Sequence, residues 1–173
     1  MGTEIERKFL IDSYEFMMAE VVDKGFAFHT QITQGYLSHD PTVRVRHVAT
    51  GPSNAKGYIT VKGRGTVTRS EWEYLIPEAD ALDMLTLCRA KLHKARYVVP
   101  VTEPGFTHLK WEVDQFYDKG LTGLWLAEIE LTRPDESFPR PAWLGKEVSE
   151  DPRYTNVSLA RFQTIPSNEP QDP

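Results

Sequence analysis

Residues Glu4 to Leu10 read EIERKFL, with charge at Glu4, Glu6 and Lys8 and with Ile5 and Phe9 set between them. Side chains on a strand alternate between two faces, so this stretch reads as a β-strand with one charged and one largely apolar face. Arg7 interrupts the apolar side and belongs on the outer face with it. The same period of two returns along the chain at Arg44 and Arg46; Lys62; Arg69, Glu71 and Glu73; Lys94 and Arg96; Glu112 and Asp114; and Glu128 and Glu130. The opposite faces carry Val43 and Val45, Ile59 and Val61, Trp72 and Tyr74, Tyr97 and Val99, Trp111 and Val113, and Ile129 and Leu131. These large apolar side chains must meet helices or one another, which places the apolar core on that side of the strands.

Around this pattern the chain divides into short runs rich in Val, Ile, Tyr, Phe and Trp, punctuated by Gly, Pro, Asn and Asp. The expected strands are Thr3 to Ile11, Phe28 to Ser38, Thr42 to Val48, Gly57 to Lys62, Thr68 to Ile76, Lys91 to Pro100, Thr107 to Phe116 and Leu124 to Leu131. The fold class is mainly β within α+β, and eight antiparallel strands of this kind can close a barrel. One helix is expected from a cap at Asp12 or Ser13 to near Gly25, with Phe16, Met17, Val21 and Val22 on its apolar side. A second opens at Pro77 and runs to about Ala90, with Leu82, Leu85 and Cys88 at three-residue steps. A short third one follows Asn156 and carries Leu159, Ala160 and Phe162. Residues 1–163 form one domain, and the polar, Pro-rich residues 164–173 are expected to be a loose tail.

Bulk composition narrows the function. The chain has 173 residues, 20 Lys and Arg against 25 Asp and Glu, and a net charge of −5. That balance argues against non-specific attraction to nucleic acid or anionic lipid, so any bound anion needs a local basic site. No signal stretch opens the chain and no apolar run approaches the roughly 18 residues of a membrane span, so a cytoplasmic location is expected. The lone Cys88 reads as buried filler. The five histidines show no ligand spacing, and no P-loop, G-x-S-x-G or G-x-G-x-x-G occurs.

The alternating strand charges are therefore the candidate site. A single E-x-E on a strand is ordinarily the solvated side of a half-buried sheet. Repetition in same-sign pairs across so many strands opens a second reading, in which the charged faces converge on a polar interior. Acids gathered there would need cations, and the bases an anion. Carboxylates without His or Cys suit hard cations such as Mg²⁺ or Mn²⁺. Arginine and lysine in numbers suit a phosphate chain. A carboxylate wall facing a basic wall would hold a polyphosphate with its metal between them.

Ordered motifs then give a resemblance. E-I-E-R-K-F-L is followed by Q-G-Y-L from Gln34, V-R-V-R from Val43, T-V-K-G from Thr60, R-S-E-W-E from Arg69, K-A-R-Y from Lys94, W-E-V-D from Trp111, A-E-I-E-L from Ala127, and W-L-G-K-E-V-S-E-D-P-R-Y from Trp143. Over about residues 3–162 the chain resembles the CYTH superfamily, also called triphosphate tunnel metalloenzymes, and within it the small bacterial inorganic triphosphatases. The resemblance implies an eight-stranded antiparallel closed barrel with helices packed outside, acting on a triphosphate with a divalent metal, Mg²⁺ or Mn²⁺. By motif, Lys8, Arg44, Arg46, Lys62, Arg69, Lys94 and Arg96 would bind the triphosphate. Glu4, Glu6, Glu128 and Glu130 would lead the metal ligands, with Glu71, Glu73, Glu112 and Asp114 as further ligands or their supports. Lys94 would help to activate water, a role for which metal-bound water competes. Tyr36 and Arg153 are further candidates for substrate contact, while Lys146 and Glu147 read as rim residues. The implied activity is hydrolysis of tripolyphosphate to pyrophosphate and phosphate. The alternatives are a thiamine or nucleoside triphosphatase, a class IV-type adenylate cyclase, or a polyphosphate-binding module without catalysis. The expected partner is a small-molecule triphosphate, with no nucleic acid or membrane, for a monomer or homodimer.

Overall fold

A computed structural model of the chain describes residues 2–23, 29–51, 53–65 and 67–167, with the backbone alone for residues 2, 3, 16, 22 and 23. The elements run β1 (Gly2–Ile11), α1 (Tyr14–Asp23), β2 (His29–His39), β3 (Thr42–Ala49), β4 (Ala55–Lys62), β5 (Thr68–Ile76), α2 (Glu78–Leu87), β6 (Lys91–Pro100), β7 (Lys110–Phe116), β8 (Trp125–Glu130), β9 (Leu144–Glu147) and α3 (Asn156–Phe162), with a 3₁₀ turn at Pro152–Tyr154. Strands pair in the order β5-β4-β3-β2-β6-β7-β8-β1, and β1 returns to pair with β5. Antiparallel partners from Gly2 and Glu71 to Ile5 and Thr68 make that last seam, closing an eight-stranded barrel. The expected antiparallel barrel is thus the observed one.

Faces separate as the period of two requires. Outside the barrel, Ile5, Phe9, Val99, Trp111, Val113 and Ile129 form one core with Met17 and Val21 of α1 and with Trp143. Phe9 meets Trp111 and Phe138 edge-on at 5.8 and 6.0 Å between ring centres. Burying each such side chain contributes roughly 1.5–3 kcal/mol, so this layer is what holds α1 and the 132–143 segment on the sheet. On the other side α2 lies over β2, β3 and β4 through Ala81 and Leu85. Close approach there depends on Gly35, where an added Cβ would sit 2.6 Å from Cβ of Cys88.

The interior has two zones. Continuing the charged faces by two residues, Leu10, Leu92, Phe116 and Leu126 also point inward, where they pack with Tyr154, Leu159 and Ala160 around α3. Apolar side chains therefore plug one end of the barrel and leave the charges at the other.

Several elements differ from expectation. β9 pairs with β1 at Phe9 and Glu147 and at Ile11 and Leu144, a ninth strand on the rim that four residues of modest strand propensity do not announce. α2 ends at Leu87 rather than Ala90, because Cys88 is already extended and β6 starts at Lys91. Its buried face is Ala81 and Leu85, with Cys88 buried just past its end, whereas Leu82 is 46% exposed, since three-residue steps alone drift round a helix of 3.6 residues per turn. Tyr74 is also exposed because α2 stops short of β5. Phe162 faces solvent while Leu159 and Ala160 are buried. β7 begins at Lys110, since Val101 and Leu109 bridge a turn there. Gly25, Phe28 and the side chains of Phe16 and Val22 lie outside the described residues, as do residues 168–173 of the expected tail. Of that tail, Pro166 and Ser167 accept hydrogen bonds from the Tyr154 hydroxyl and the Arg153 guanidinium.

Candidate active site

Inside the barrel lies a cavity of about 630 Å³ lined mainly by charged side chains. Glu4, Glu6 and Lys8 enter from β1, Arg44 and Arg46 from β3, Lys62 from β4, and Arg69, Glu71 and Glu73 from β5. Arg96 enters from β6, Glu112 from β7, Glu128 and Glu130 from β8, and Tyr36 from β2. Three expected residues do not reach it. Lys94 and Asp114 are buried behind the wall, and Arg153 turns to the surface, where its Nη2 lies 2.7 Å from Asp151. Arg7 is outside, paired with Glu147 and set over the rings of Phe9 and Phe138.

The charges are not sorted into two walls. Antiparallel register places Glu4 opposite Arg69, Lys8 opposite Glu128, Lys62 opposite Glu71 and Arg96 opposite Asp114, so most of them neutralise one another. Glu4 accepts from Lys62 Nζ at 2.7 Å and from Arg69 Nε at 2.7 Å. Burial raises its pKa, but Lys62 and Arg69 outweigh burial and bring it to about 2. Glu128 lies 2.9 Å from Lys8 Nζ and 2.7 Å from Arg96 Nη2. Against burial, Lys8, Arg96 and Lys94 hold Glu128 well below the usual carboxylate range. Asp114 accepts from Lys94 Nζ at 2.5 Å and from Arg96 Nε and Nη2 at 2.7 and 2.6 Å. Burial, then Arg96, lowers Lys94 to about 8, with Asp114 opposing.

Two poles are less completely neutralised. On β3, the buried Nε atoms of Arg44 and Arg46 have no hydrogen-bond partner, and Arg44 Nη2 is 3.8 Å from Glu71. Arg46 is paired with Glu73 through Nη2, but burial, then Arg44, still depresses its pKa to about 10. On β1 and β8, Glu6 stands directly opposite Glu130, while Glu112 and Glu128, opposite one another on β7 and β8, share Arg96 and reach Lys110 and Lys8. Glu6 has Lys8 Nζ at 3.6 Å; burial, then Glu128, raises its pKa. In a ring ordered β5-β4-β3-β2-β6-β7-β8-β1, β3 stands across the barrel from β8. A basic pole therefore faces an acidic one.

That acidic pole fits a hard divalent cation. Its donors are all carboxylate oxygens, and the burial that chiefly raises the pKa of Glu6 is a cost that a bound cation would offset. Among the described residues no three His, Cys, Asp or Glu side chains converge as a cage, so such an ion would keep coordination sites for water and phosphate oxygen.

Residues that sequence reading did not assign complete the cavity. Ser149, Tyr154, Thr155 and Asn156 form its floor between β9 and α3, and the Asn156 Oδ1 is buried without a partner. Asp40 and Arg64 line its mouth, 3.0 Å apart. The buried Gln34 donates to the Tyr36 hydroxyl at 3.0 Å. The motif from Trp143 to Tyr154 was the available signal for the floor, but a rim assignment carried no information about which side of the rim faces in.

The profile of the CYTH domain family matches residues 2–162. An inorganic triphosphatase of Acetivibrio thermocellus is 40% identical over 168 residues, covering 93% of this chain and 95% of that protein. An inorganic triphosphatase of Nitrosomonas europaea is 31% identical over 166 residues, covering 91% of this chain and 97% of that protein. Among solved structures, that of the inorganic triphosphatase NE1496 superposes with a TM-score of 0.61 at 29% identity, covering 96% of this chain and 99% of that one.

Proposed function

The chain belongs to the CYTH domain family, and from that footing we propose that it is an inorganic triphosphatase, hydrolysing tripolyphosphate to pyrophosphate and phosphate inside its barrel. The observation that carries this reading is the facing of Arg44 and Arg46, whose buried Nε atoms have no partner, by Glu6, Glu128 and Glu130 across one cavity.

In this reading Arg44 and Arg46 grip phosphate oxygens with guanidinium forks that the protein leaves partly unused. Lys8, Lys62, Arg69 and Arg96 exchange a carboxylate for a phosphate oxygen as substrate enters, and the Tyr36 hydroxyl lies beside them. Glu6 and Glu130 would hold a divalent ion, joined by Glu4 and Glu128 as their cations move to phosphate, and Glu71, Glu73 and Glu112 keep the remaining cations in place. Bound Mg²⁺ or Mn²⁺ supplies neutralisation and polarisation of phosphate oxygens. Water attacks the terminal phosphorus, the bridging P–O bond breaks, and pyrophosphate leaves with the electron pair. Catalysis of this kind is mainly positioning and charge stabilisation, which a rigid ring of strands provides. Lys94 acts from behind the wall, fixing Asp114, which in turn fixes Arg96 through two hydrogen bonds. Among the described residues no helix is long and apolar enough to cross a membrane, and the proposed setting is the cytoplasm.

The test is phosphate release from tripolyphosphate, ATP and thiamine triphosphate, each with Mg²⁺, Mn²⁺ or EDTA, with cyclic AMP measured alongside. Rapid, metal-dependent release from tripolyphosphate is the expected result. Cyclic AMP formed without phosphate, or tight binding with no turnover under either metal, would overturn it.

A further inference from the structure

A second cavity, of about 730 Å³, opens on the outside of the barrel where the end of α2, the start of β6 and the end of α3 meet. Arg89, Lys91 and Arg161 line it, and among the described residues none of the three has a carboxylate at ion-pair distance. The acid in the lining, Asp118, is already engaged, since it accepts from the His93 amide and meets His93 Nδ1, both at 2.8 Å. The frame is held by Gln163, whose Nε2 donates to the Lys91 carbonyl at 2.7 Å. In a chain of net charge −5, three cations against one carboxylate give this concavity a local positive charge.

We propose that this outer groove binds the phosphate group of a small molecule, gripped by the Arg89 and Arg161 guanidiniums with Lys91 as a point charge. Two sources share that chemistry. Tyr36 and His39 line both the groove and the tunnel, so pyrophosphate released by the proposed hydrolysis is one candidate, and only this arm rests on the tunnel reading. A nucleoside diphosphate is the other, because Leu37 and Leu87, 40% and 72% exposed, offer its base an apolar wall.

Calorimetric titration of pyrophosphate and of ADP into the full chain in EDTA, where no turnover occurs, separates these possibilities. Two pyrophosphate sites are expected in the unaltered protein. Arg89→Glu with Arg161→Glu should weaken one of them by about tenfold or more, while Arg44→Ala with Arg46→Ala weakens the other. Tighter groove binding of ADP identifies a nucleotide as the source; tighter binding of pyrophosphate identifies the product. Arg89→Ala with Arg161→Ala repeats the test without charge reversal, with melting temperatures compared throughout. Two unchanged sites in both groove variants, or equal displacement by sulfate, would overturn the proposal. Failure of the Arg44 and Arg46 pair to alter either site would instead count against the tunnel.

Discussion

Lys94 offers a measurable consequence of burying charge. It is 2% exposed, with Nζ 2.5 Å from Asp114 and 5.8 Å from the Phe116 ring centre. Burial, then Arg96, lowers its pKa from 10.5 to about 8. Between those two values the unfolded chain binds a proton that the folded chain has released, so stability rises with pH across this window. A shift of this size corresponds to about 3 kcal/mol. Lys94→Met keeps most of the volume and removes the titration, while Asp114 retains its hydrogen bonds from Arg96 at 2.7 and 2.6 Å. Urea unfolding of both proteins in EDTA at pH 8 and 10.5 is the assay. The unaltered protein should gain about 3 kcal/mol more than the variant between these conditions. Near neutrality the two should differ by only about 1–2 kcal/mol, because the lost charge-assisted bond is offset by the burial cost removed with it. Arg46 and Lys62 are also depressed, but they titrate in both proteins and cancel in the comparison. An equal rise in the Lys94→Met protein would refute the reasoning.

Three further outcomes follow from the tunnel and its rim. Arg44→Ala should lower kcat/KM for tripolyphosphate by about a hundredfold, chiefly through KM, because a forked guanidinium contact to phosphate is worth about 3 kcal/mol; unchanged steady-state kinetics would remove Arg44 from the site. Glu4→Gln takes the shared carboxylate from Lys62 and Arg69, leaving Lys62 only Glu71 at 3.4 Å, and should cost about 3 kcal/mol at neutral pH. Because the Glu4 pKa lies at about 2 instead of 4.5, the stability it lends is complete above pH 4.5 and lost as pH falls toward 2, so thermal melts of the variant should show a flatter acid limb. Arg7→Ala should lower stability by about 1 kcal/mol, since its pair with Glu147 is only half-buried and its ring contacts are modest, with kcat for tripolyphosphate unchanged.

The fold was legible from EIERKFL outward because a period of two is a local property, written in neighbouring residues. β5 and β6 run between the residues that alternation and punctuation mark, at Thr68–Ile76 and Lys91–Pro100. Register is not local. Whether Lys8 meets Glu128 or slips by two to meet Glu130 depends on turns and packing, and that choice decides which charges cancel. Two facing walls were therefore a fair reading of the composition of the strands and an incomplete one of their pairing. Lys94 and Asp114 carry the same alternation as Arg96 and Glu112 and still lie behind the cavity, because the apolar plug with Phe116 and Leu92 begins at their level. Ser149 and Asn156 escaped because a short rim strand and a seven-residue helix give weak periodic signals, and their tunnel-facing sides are set by tertiary contact alone.

Closure of the ring through β1 also governs how the chain can acquire its structure. Of the barrel's strands β1 is made before the others, yet its neighbours are β5 on one flank and β8 on the other, with β9 taking over beyond Phe9. Its amide and carbonyl groups, and the carboxylates of Glu4 and Glu6, must wait in water while the remaining staves of the barrel are made. Pairings at such sequence separation form slowly, whereas hairpins such as β2 with β3 or β6 with β7 can form as soon as they emerge. The alternating charges of the opening strand then serve a second purpose, keeping an unpaired, otherwise sticky segment soluble until the last staves arrive.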